Sequence, residues 1–311
     1  MSQPSPPALL ARAYRFINRP YYLLRPQRAL LRLLPRPAPP SGIGVQPRLL
    51  TTAWGSRLYC FGDSVGDAVK RTGTYELVVA EALARLAERG ETGVDAGANV
   101  GLFTNVLALA VGARGRVVAF EPHPEIHKLL RRNVELWRRE LCLENIDMRA
   151  EALSSQTGSG ELTVWGDFAD NRGTASLEPM QTGAARSVHV PTVRLDEVLA
   201  ARTVGVLKLD VEEHELPALQ GAAALLGERA IRDVVFESHA DPPTGVTDLL
   251  EAHGYVILAV RQALGGPILC APGEARWRET WDPPTLLATC DPARARRRFR
   301  ARGWRSLRRI R

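Results

Sequence analysis

The stretch Val-Asp-Ala-Gly-Ala-Asn-Val-Gly at residues 94–101 decides how the rest of this chain is interpreted. An apolar segment leads into Asp95, and the two glycines that follow permit a tight turn in which the backbone can approach a ligand closely. After an apolar helical pattern, the next strand-like segment ends on Glu121, where folds of this kind place a carboxylate that accepts ribose hydroxyls. This order of residues predicts a nucleoside-cofactor site.

Asn99 narrows the class of cofactor. It stands where a dinucleotide fingerprint has its second glycine, the residue that lets the backbone reach a pyrophosphate. A ligand with a nucleoside and an amino-acid end but no phosphates fits better, since Asp95 can pair with an ammonium group and Glu121 with a diol. S-adenosylmethionine has these features. The alternative is a glycine turn that binds nothing, as in many α/β proteins.

Three separate blocks make the chain resemble the FkbM-type S-adenosylmethionine-dependent methyltransferases. The blocks are the turn at 95–101, Ala119-Phe120-Glu121-Pro122-His123-Pro124, and Lys208-Leu209-Asp210-Val211-Glu212 with Glu215, Leu216 and Gly221 behind it. The resemblance implies a class I methyltransferase fold and methylation of a hydroxyl on a small molecule, polyketide or sugar. The family pattern usually has glycine after Val-Glu, where this chain has Glu213.

Strand and helix patterns alternate along the middle of the chain, as a doubly wound, mostly parallel Rossmann-like sheet requires. We expect strands near 92–95, 116–121, 146–152, 205–210, 231–237 and 255–260. We expect helices near 75–89, 102–111, 124–139, 213–226 and 245–253. A β insertion at roughly 156–194, with strands Glu161–Trp165 and Ser187–Val193, separates the third and fourth parallel strands. It either covers a ligand at the carboxyl edge or is a plain hairpin.

The predicted cofactor site takes residues from three corners of this sheet. They are Asp95, Gly97, Asn99, Gly101, Glu121, Pro122, Ala152 and Leu153. In the family, the corner after the third strand lies beside the adenine ring, and small or apolar residues there offer the base a flat wall. Ala152 and Leu153 are equally consistent with ordinary core packing.

Ionisable residues follow the fourth and fifth parallel strands. Asp210 ends the fourth strand, where the resemblance puts the sulfonium methyl, and Glu237 and His239 follow the fifth. Because the carboxyl ends of parallel strands share one edge, we expect these three side chains to converge, and each is able to remove a hydroxyl proton. The predicted substrate-binding residues are Asn171 in the insertion and Glu212 and His214 after Asp210.

No metal site is predicted, although Asp210, Glu237 and substrate oxygens form a chemically reasonable set of ligands for a divalent ion. The pair His123 and His127 has no third ligand beside it in the sequence. Acids in a first helical turn also complement the helix dipole, which is the simpler explanation of Glu213.

Composition indicates one enzyme-sized domain, which we assign to residues 63–272. The chain has 311 residues, of which 45% are hydrophobic, so it can bury a substantial core. No run reaches the eighteen or so apolar residues of a membrane helix. The four cysteines are scattered and form no Cys-x-x-Cys pair, which suits reduced thiols in the cytoplasm. Oligomeric state is not determined by these observations.

Two basic segments flank an acidic core. Residues 1–62 contain nine arginines and residues 292–311 contain ten, and neither segment has an acid. We interpret 1–62 as a Pro/Arg-rich arm and lead-in, and 273–311 as an Arg-rich tail that forms a basic amphipathic helix after Arg294. The default interpretation is a largely disordered arm and a solvated tail. Docking on the acidic core and contact with an anionic membrane surface are the alternatives, and we expect no specific nucleic-acid partner.

Two functional hypotheses follow. The first is an O-methyltransferase that acts on a small hydroxylated metabolite or glycosyl group. The second is a cofactor-binding protein without turnover, whose basic tails bind an anionic partner such as a membrane surface or RNA. The complete cofactor set, together with ionisable residues at the rim, favours the enzyme.

Overall fold

The computed structural model describes residues 19–24, 46–164, 175–177, 186–200, 202–238, 240–273, 285–308 and 310. The strands within these ranges are β1 Arg48–Thr51, β2 Arg57–Cys60, β3 Thr92–Ala96, β4 Arg116–Phe120, β5 Ile146–Arg149, β6 Ala152–Leu153, β7 Gly158–Val164, β8 Arg186–Val193, β9 Val204–Leu209, β10 Ile231–Glu237, β11 Val256–Ala263, β12 Gly266–Cys270 and β13 Thr285–Thr289. The helices are α1 Pro20–Leu23, α2 Ser64–Thr72, α3 Leu77–Leu86, α4 Leu102–Val111, α5 Pro124–Leu141, α6 Leu195–Val198, α7 Glu215–Gln220, α8 Ala223–Gly227, α9 Gly245–Ala252, α10 Pro292–Phe299 and a 3₁₀ turn at Arg305–Leu307.

The central sheet of the described chain has the strand order β12-β11-β13-β10-β9-β3-β4-β5. Strands β10, β9, β3, β4 and β5 run parallel, and β13 lies antiparallel between β10 and β11. Strand β4 illustrates the two-sided burial: Val117 and Ala119 join the apolar cluster on one face, and Val118 and Phe120 join that on the other. Helices α2 to α5 cover the first face and α6 to α9 the second. The α/β, Rossmann-like prediction is confirmed.

The insertion after the third parallel strand forms a separate three-stranded sheet in the order β6-β8-β7. Strands β7 and β8 contain the predicted pair, except Trp165, which lies outside the described residues. The predicted third strand, 146–152, is wrong at its end. Strand β5 stops at Arg149, and Ala152 and Leu153 pair instead with Thr192 and Val193 of β8. The predicted helix 213–226 is likewise two helices, α7 and α8.

The N-terminal lead-in packs as part of the domain. The β1/β2 hairpin lies against α5, where the Trp137 indole nitrogen donates to the Arg57 carbonyl at 2.6 Å. Tyr21 of α1 packs against the apolar cluster of the first face. The rest of the predicted arm lies outside the described residues. None of the helices that the structure describes is long and apolar enough to span a membrane.

The C-terminal segment corrects the predicted domain limit at residue 272. Strand β13 lies inside the central sheet, so the folded domain extends beyond that limit. The long predicted helix after Arg294 is also wrong, since α10 ends at Phe299. Gly303 then adopts a left-handed φ of 92°, and its amide donates to the Gly265 carbonyl at 2.7 Å, which turns the chain back toward the sheet.

Candidate active site

Close packing inside the protein requires glycine at two positions of the turn 95–101. Gly97 has a φ of +73°, and a Cβ there would lie 1.9 Å from the carbonyl oxygen of Asp210. Gly101 has a φ of +92°, and a Cβ there would lie 2.6 Å from Leu130 and 2.9 Å from Trp137. The turn is therefore wedged between the end of β9 and helix α5, which fixes its position at the carboxyl edge of the sheet.

Glu121 organises the cofactor side of the site. Its two carboxylate oxygens accept the backbone amides of Asn99 at 2.8 Å and His123 at 2.9 Å. Asn99 itself has a left-handed φ of 49°. Burial raises the pKa of Glu121 to about 7, although the two backbone hydrogen bonds oppose the shift. The adjacent Pro122 is half-buried. Glu121 thus holds the turn and the start of α5 in register beside the predicted ribose position.

The Asp95 carboxylate has partners inside the protein. The sequence predicts contact with the ammonium group of a ligand. The neighbour of Asp95 in the β3/β9 register is Lys208, so the two side chains leave the sheet on the same face. Lys208 Nζ lies 3.6 Å from Asp95 Oδ1, and Thr104 Oγ1 donates to Oδ2 at 2.6 Å. Asp95 is fully buried. An internal lysine therefore supplies the positive charge.

Lys208 also joins the cofactor turn to the rim of the site. Its ammonium group donates to the carbonyl oxygens of Ala96 at 3.1 Å and Gly97 at 2.8 Å, and it lies 3.2 Å from Asp210 Oδ2. Burial alone would lower the pKa of Lys208, but the charges of Asp210 and Asp95 outweigh burial and raise it above its ordinary value. Lys208 is consequently a permanent cation between the two halves of the site.

A shallow, open cleft lies between the start of α3 and the ends of β9 and β10. Glu76, Asp210 and Glu237 line it, together with Lys208. The Asp210 side chain is 31% exposed, so its carboxylate reaches both the lysine and the solvent. Burial and the nearby carboxylates, first that of Glu76, raise the pKa of the Tyr75 hydroxyl. The structure thus brings Asp210 and Glu237 to one cleft, as the sequence predicts.

The loop after Asp210 has an unusual backbone. Glu212 and Glu213 both have left-handed φ values, 52° and 70°. Since glycine adopts this region without a Cβ penalty, the glycine that the family usually has at position 213 has a direct explanation. Burial and then the charges of Asp210 and Glu215 raise the pKa of Glu212 to about 7. The Ser176 hydroxyl of the insertion donates to the Glu212 carbonyl, so the insertion contacts this loop.

Other predicted site residues lie apart from the cleft or outside the described chain. The His214 ring is buried and lies 3.0 Å from the Ser154 hydroxyl, so its contact is with the end of β6. Ala152 and Leu153 are buried in apolar clusters, in line with the packing alternative. Asn171 and His239 lie outside the described residues. Within those residues, no three His, Cys, Asp or Glu side chains are grouped to hold a metal.

Sequence reasoning missed three residues of the cleft: Tyr75, Glu76 and Lys208. Lys208 carried a usable signal, because it is a charged residue inside the otherwise apolar strand Val204–Leu209 and a buried charge requires a partner. The other two residues precede a helix in a segment without a motif, and only the folded chain brings them to the rim.

Comparison with known proteins identifies the family. The sequence profile described as the Methyltransferase FkbM domain matches residues 95–257, just over half of the chain. The chain belongs to the FkbM methyltransferase family. It is therefore a methyltransferase of the S-adenosylmethionine-dependent class. No curated protein matches the chain.

Several solved methyltransferase structures are similar to this chain at low identity. Methyltransferase FkbM from Methylobacillus flagellatus KT is 15% identical with a TM-score of 0.40, and the match covers 65% of this chain and 43% of that protein. An S-adenosylmethionine-dependent O-methyltransferase from Thermotoga maritima is 15% identical with a TM-score of 0.40, covering 78% and 77%. An rRNA methylase from Streptococcus thermophilus is 13% identical with a TM-score of 0.36, covering 68% and 92%. The chain thus spans less than half of the Methylobacillus protein's length.

The charges of the site fit the family's cofactor. S-adenosylmethionine carries a sulfonium and an ammonium group, and the cleft and turn offer the carboxylates of Glu76, Glu121, Asp210 and Glu237. Lys208 is the one basic side chain lining the described part of the cleft, and it is already occupied by Asp95 and Asp210. A surplus of carboxylates near Glu121 suits a nucleoside that carries a net positive charge.

Proposed function

We propose that this methyltransferase is an O-methyltransferase that deprotonates a hydroxyl group of a small acceptor in the cleft at the ends of β9 and β10. The observation that carries the proposal is Asp210. Its carboxylate is partly exposed at the cleft, lies next to the cofactor turn, and is held by the buried Lys208 at 3.2 Å. A carboxylate that is fixed in place beside a buried cation is suited to accept the proton of an acceptor hydroxyl.

The cofactor is proposed to be held mainly from the β4 side. Glu121 would accept the ribose hydroxyls, and the acidic rim would offset the positive charge of the ligand. S-adenosylmethionine supplies a methyl group on a positively charged sulfur. Alignment of the acceptor oxygen is the main requirement of such a displacement, and the wedged glycine turn gives the site the rigidity that alignment needs.

Lys208 is proposed as a positioning residue for Asp210. By binding the Ala96 and Gly97 carbonyls and the Asp210 carboxylate together, it fixes the distance between the cofactor turn and the base. Glu237, on the neighbouring strand, lines the same cleft and is the second candidate for contact with the acceptor. Neither residue needs a metal ion for these roles.

The acidic lining also favours one class of acceptor. Glu76, Asp210 and Glu237 surround the cleft, and close to them Glu212 adds a further carboxyl. Like charges repel at short range in a partly desolvated site, so a phosphorylated acceptor or a nucleic acid strand is disfavoured there. We therefore infer a neutral or positively charged hydroxylated metabolite or glycosyl group.

The test has two stages. Untargeted comparison of metabolites from cells with and without the protein should identify a compound that lacks one methyl group when the protein is absent. Purified Asp210→Asn should then transfer methyl groups to that compound about 10²–10⁴-fold more slowly, the usual contribution of a general base, while its cofactor affinity falls far less because Glu76 and Glu237 still offset the ligand's charge. Calorimetry with S-adenosylmethionine measures the affinity.

Two comparisons make this test specific. Glu251→Gln, an exposed acid on α9, is the matched control and should leave the rate unchanged. Glu237→Gln reports whether the second carboxylate contributes. A near-normal rate in both Asp210→Asn and Glu237→Gln would refute base catalysis. Normal cofactor binding without any methylated product in the wild type would favour the alternative, a cofactor-binding protein without turnover.

A further inference from the structure

A strongly basic surface lies at the free edge of the central sheet. It is formed by the β11/β12 hairpin, by α10, which packs on β12, and by the residues after α10. Around the hairpin tip and along α10 and the residues after it, this surface exposes two large apolar side chains and six arginines, namely Leu264, Ile268, Arg296, Arg297, Arg300, Arg302, Arg305 and Arg308. We call this set the basic edge.

The segment that carries these arginines is fixed to the domain. Arg85 and Glu81 of α3 form a fully buried ion pair at 2.6 Å. Arg85 also donates to the carbonyl of Ala301 at 2.8 Å, and Glu81 accepts the backbone amide of Ser306 at 2.8 Å. Trp304 is buried nearby. The arginines are therefore presented as a folded array, in contrast to a freely moving tail.

The positive charge of this array is not balanced within the described chain. Residues 292–311 contain no acid, and among the described residues none of the six exposed arginines forms an ion pair with a carboxylate. The half-buried Arg298 does pair, with Glu88 at 3.0 Å. Burial lowers the pKa of Arg298, and the charges of Arg294 and Arg305 lower it further, against the opposing charge of Glu88. Such mutual repulsion destabilises the free protein and is relieved by an anionic partner.

Two exposed apolar residues in the basic edge indicate which anionic partner it binds. Leu264 is 47% exposed at the hairpin tip, and Ile268 on β12 is 40% exposed. The bond from the Gly303 amide to the Gly265 carbonyl, 2.7 Å, puts Arg302 beside the tip. Arginines that bind phosphates around side chains that enter an apolar layer match a bilayer of anionic phospholipids. A nucleic acid strand would be served by aromatic stacking surfaces instead.

The hairpin tip also has a defined position relative to the cleft. Thr285 of β13 pairs with Glu237 of β10 on one side and with Val260 of β11 on the other. Val260 therefore lies at the same height along the strands as Glu237 at the rim of the cleft. Strand β11 continues past Val260 to Ala263 in the direction of β10. At about 3.3 Å per residue, Leu264 stands roughly 13 Å beyond the level of Glu237, on the same edge of the sheet as the cleft.

We propose that the basic edge docks this protein on the surface of an anionic phospholipid bilayer, with α10 and the β11/β12 hairpin directed toward the lipid. Leu264 enters the interface between headgroups and acyl chains, and the exposed arginines bind headgroup phosphates. This docking goes beyond the proposed methyl transfer and does not depend on it.

Flotation of the purified full chain with lipid vesicles tests the proposal. We expect the wild type to bind vesicles of phosphatidylcholine and phosphatidylglycerol, to ignore phosphatidylcholine alone, and to lose binding as salt increases. The triple variant Arg296→Glu, Arg297→Glu, Arg300→Glu should reduce partitioning at least about 100-fold. Leu264→Ser, which leaves the charge unchanged, should reduce it by roughly tenfold.

The matched control is a second triple variant with the same change in charge, Arg48→Glu, Arg114→Glu, Arg139→Glu, at exposed positions elsewhere. It should partition within about threefold of the wild type if the array, rather than net charge, is recognised. Absence of vesicle binding, equal losses in both triple variants, normal binding of the first triple variant, or tighter binding to single-stranded RNA than to vesicles would each overturn the proposal. Calorimetry with S-adenosylmethionine on every variant separates a docking defect from a defect in the cofactor site.

Discussion

The amino and carboxyl ends of the parallel strands, which form two opposite edges of the central sheet, differ in how their charges are balanced. At the amino edge, Asp233 is held by Arg232 and Arg294, each at 3.0 Å, and Arg294 also pairs with Glu88 at 2.7 Å. At the carboxyl edge, the single buried cation Lys208 stands among several carboxylates in the described chain, including Asp95 and Asp210. One edge is close to neutral, and the other carries an excess of negative charge.

This difference separates a structural cluster from a functional one. At the amino edge, the hydrogen bond and charge of Arg294 outweigh burial and lower the pKa of Glu88. At the carboxyl edge, burial raises the pKa of both Glu121 and Glu212 to about 7. Groups that titrate near neutral pH in a cleft are typical of sites that bind a ligand or move a proton. The carboxyl edge, with its excess of negative charge, is therefore the one suited to bind a cationic ligand.

The largest expected effect is that of removing the cation from the unbalanced edge. Lys208→Met leaves the buried Asp95 without its counter-charge, which should reduce the free energy of unfolding by about 3–5 kcal/mol at pH 8. The loss should shrink as the pH falls, because the folded variant then holds a proton on the buried Asp95 that the unfolded chain has released. Urea unfolding between pH 5.5 and 8 measures it.

Lys208→Arg is the matched control for that variant, since it keeps the charge and changes the shape. It should recover part of the stability and remove the pH dependence. A loss in Lys208→Met that is the same at every pH would mean that the residue matters through packing alone, and the electrostatic account of this edge would be wrong.

The corresponding change at the balanced edge should be milder and confined to stability. Arg294→Met removes the pairs with Asp233 and Glu88, but Arg232 remains on Asp233, so we expect a loss of roughly 2–3 kcal/mol. The affinity of the folded variant for S-adenosylmethionine should equal that of the wild type. Urea unfolding and calorimetry decide the matter together. A parallel loss of affinity would connect the two edges and remove the distinction between them.

The titration of Glu121 sharpens the comparison further. Because its pKa is about 7, the carboxylate that would accept the ribose hydroxyls ionises between pH 6 and 8, and cofactor affinity should rise about tenfold over that range. The stability of the free protein should change with pH in the opposite direction. Its folded state holds a proton that the unfolded state releases near the ordinary value, so Glu121 makes the protein more stable near pH 5 than near pH 8.

Calorimetry across this pH range, on the wild type and on Glu121→Gln, measures the effect. The variant should bind more weakly and without the pH dependence. An unchanged profile in Glu121→Gln would assign the titration to another group, and Glu212 is then the one to replace, since its pKa is also about 7.

The smallest effect concerns the backbone of the unbalanced edge. Glu213 is exposed and has a φ of 70°, so Glu213→Gly should raise the free energy of unfolding by about 1 kcal/mol. Removing one negative charge from this edge adds to the gain. Thermal unfolding detects the change, and Glu228→Gly, at an exposed position with ordinary φ, should lower stability instead. Equal losses in both variants would contradict the strain at position 213.

Periodicity and motifs predicted the parallel half of the fold well, because each of those strands is a short apolar run followed by a turn or helix signal. The helix Leu102–Val111 and the strand Ile231–Glu237 match their predicted bounds. Pairing across long distances in the chain was not predictable in this way. Strand β13 carries no motif, and its position between β10 and β11 depends on partners about fifty and thirty residues earlier.

In the candidate site, too, local sequence patterns were predictive and long-range contacts were not. Asp210 and Glu237 were predicted to meet because they end neighbouring strands, and they line one cleft. The contact of Asp95 with Lys208 was not predicted, because the lysine is over a hundred residues away and only the β3/β9 register brings the two together. Charge composition likewise identified the basic C-terminal segment, but the carbonyls that Arg85 binds there hold it to the fold.

The position of β13 has a consequence for synthesis of the chain. Strand β10 has no neighbour on its outer side until residues 285–289 have been made, and β11 is separated from it until the same moment. A nascent chain that ends before this point exposes the unpaired backbone of β10 to other chains. Domains fold as they leave the ribosome, from the N-terminus onward, so this one stays incomplete until residues 285–289 emerge. Termination of synthesis before β13 is then expected to yield a product prone to aggregate, and chaperone demand should be highest before this strand has been made.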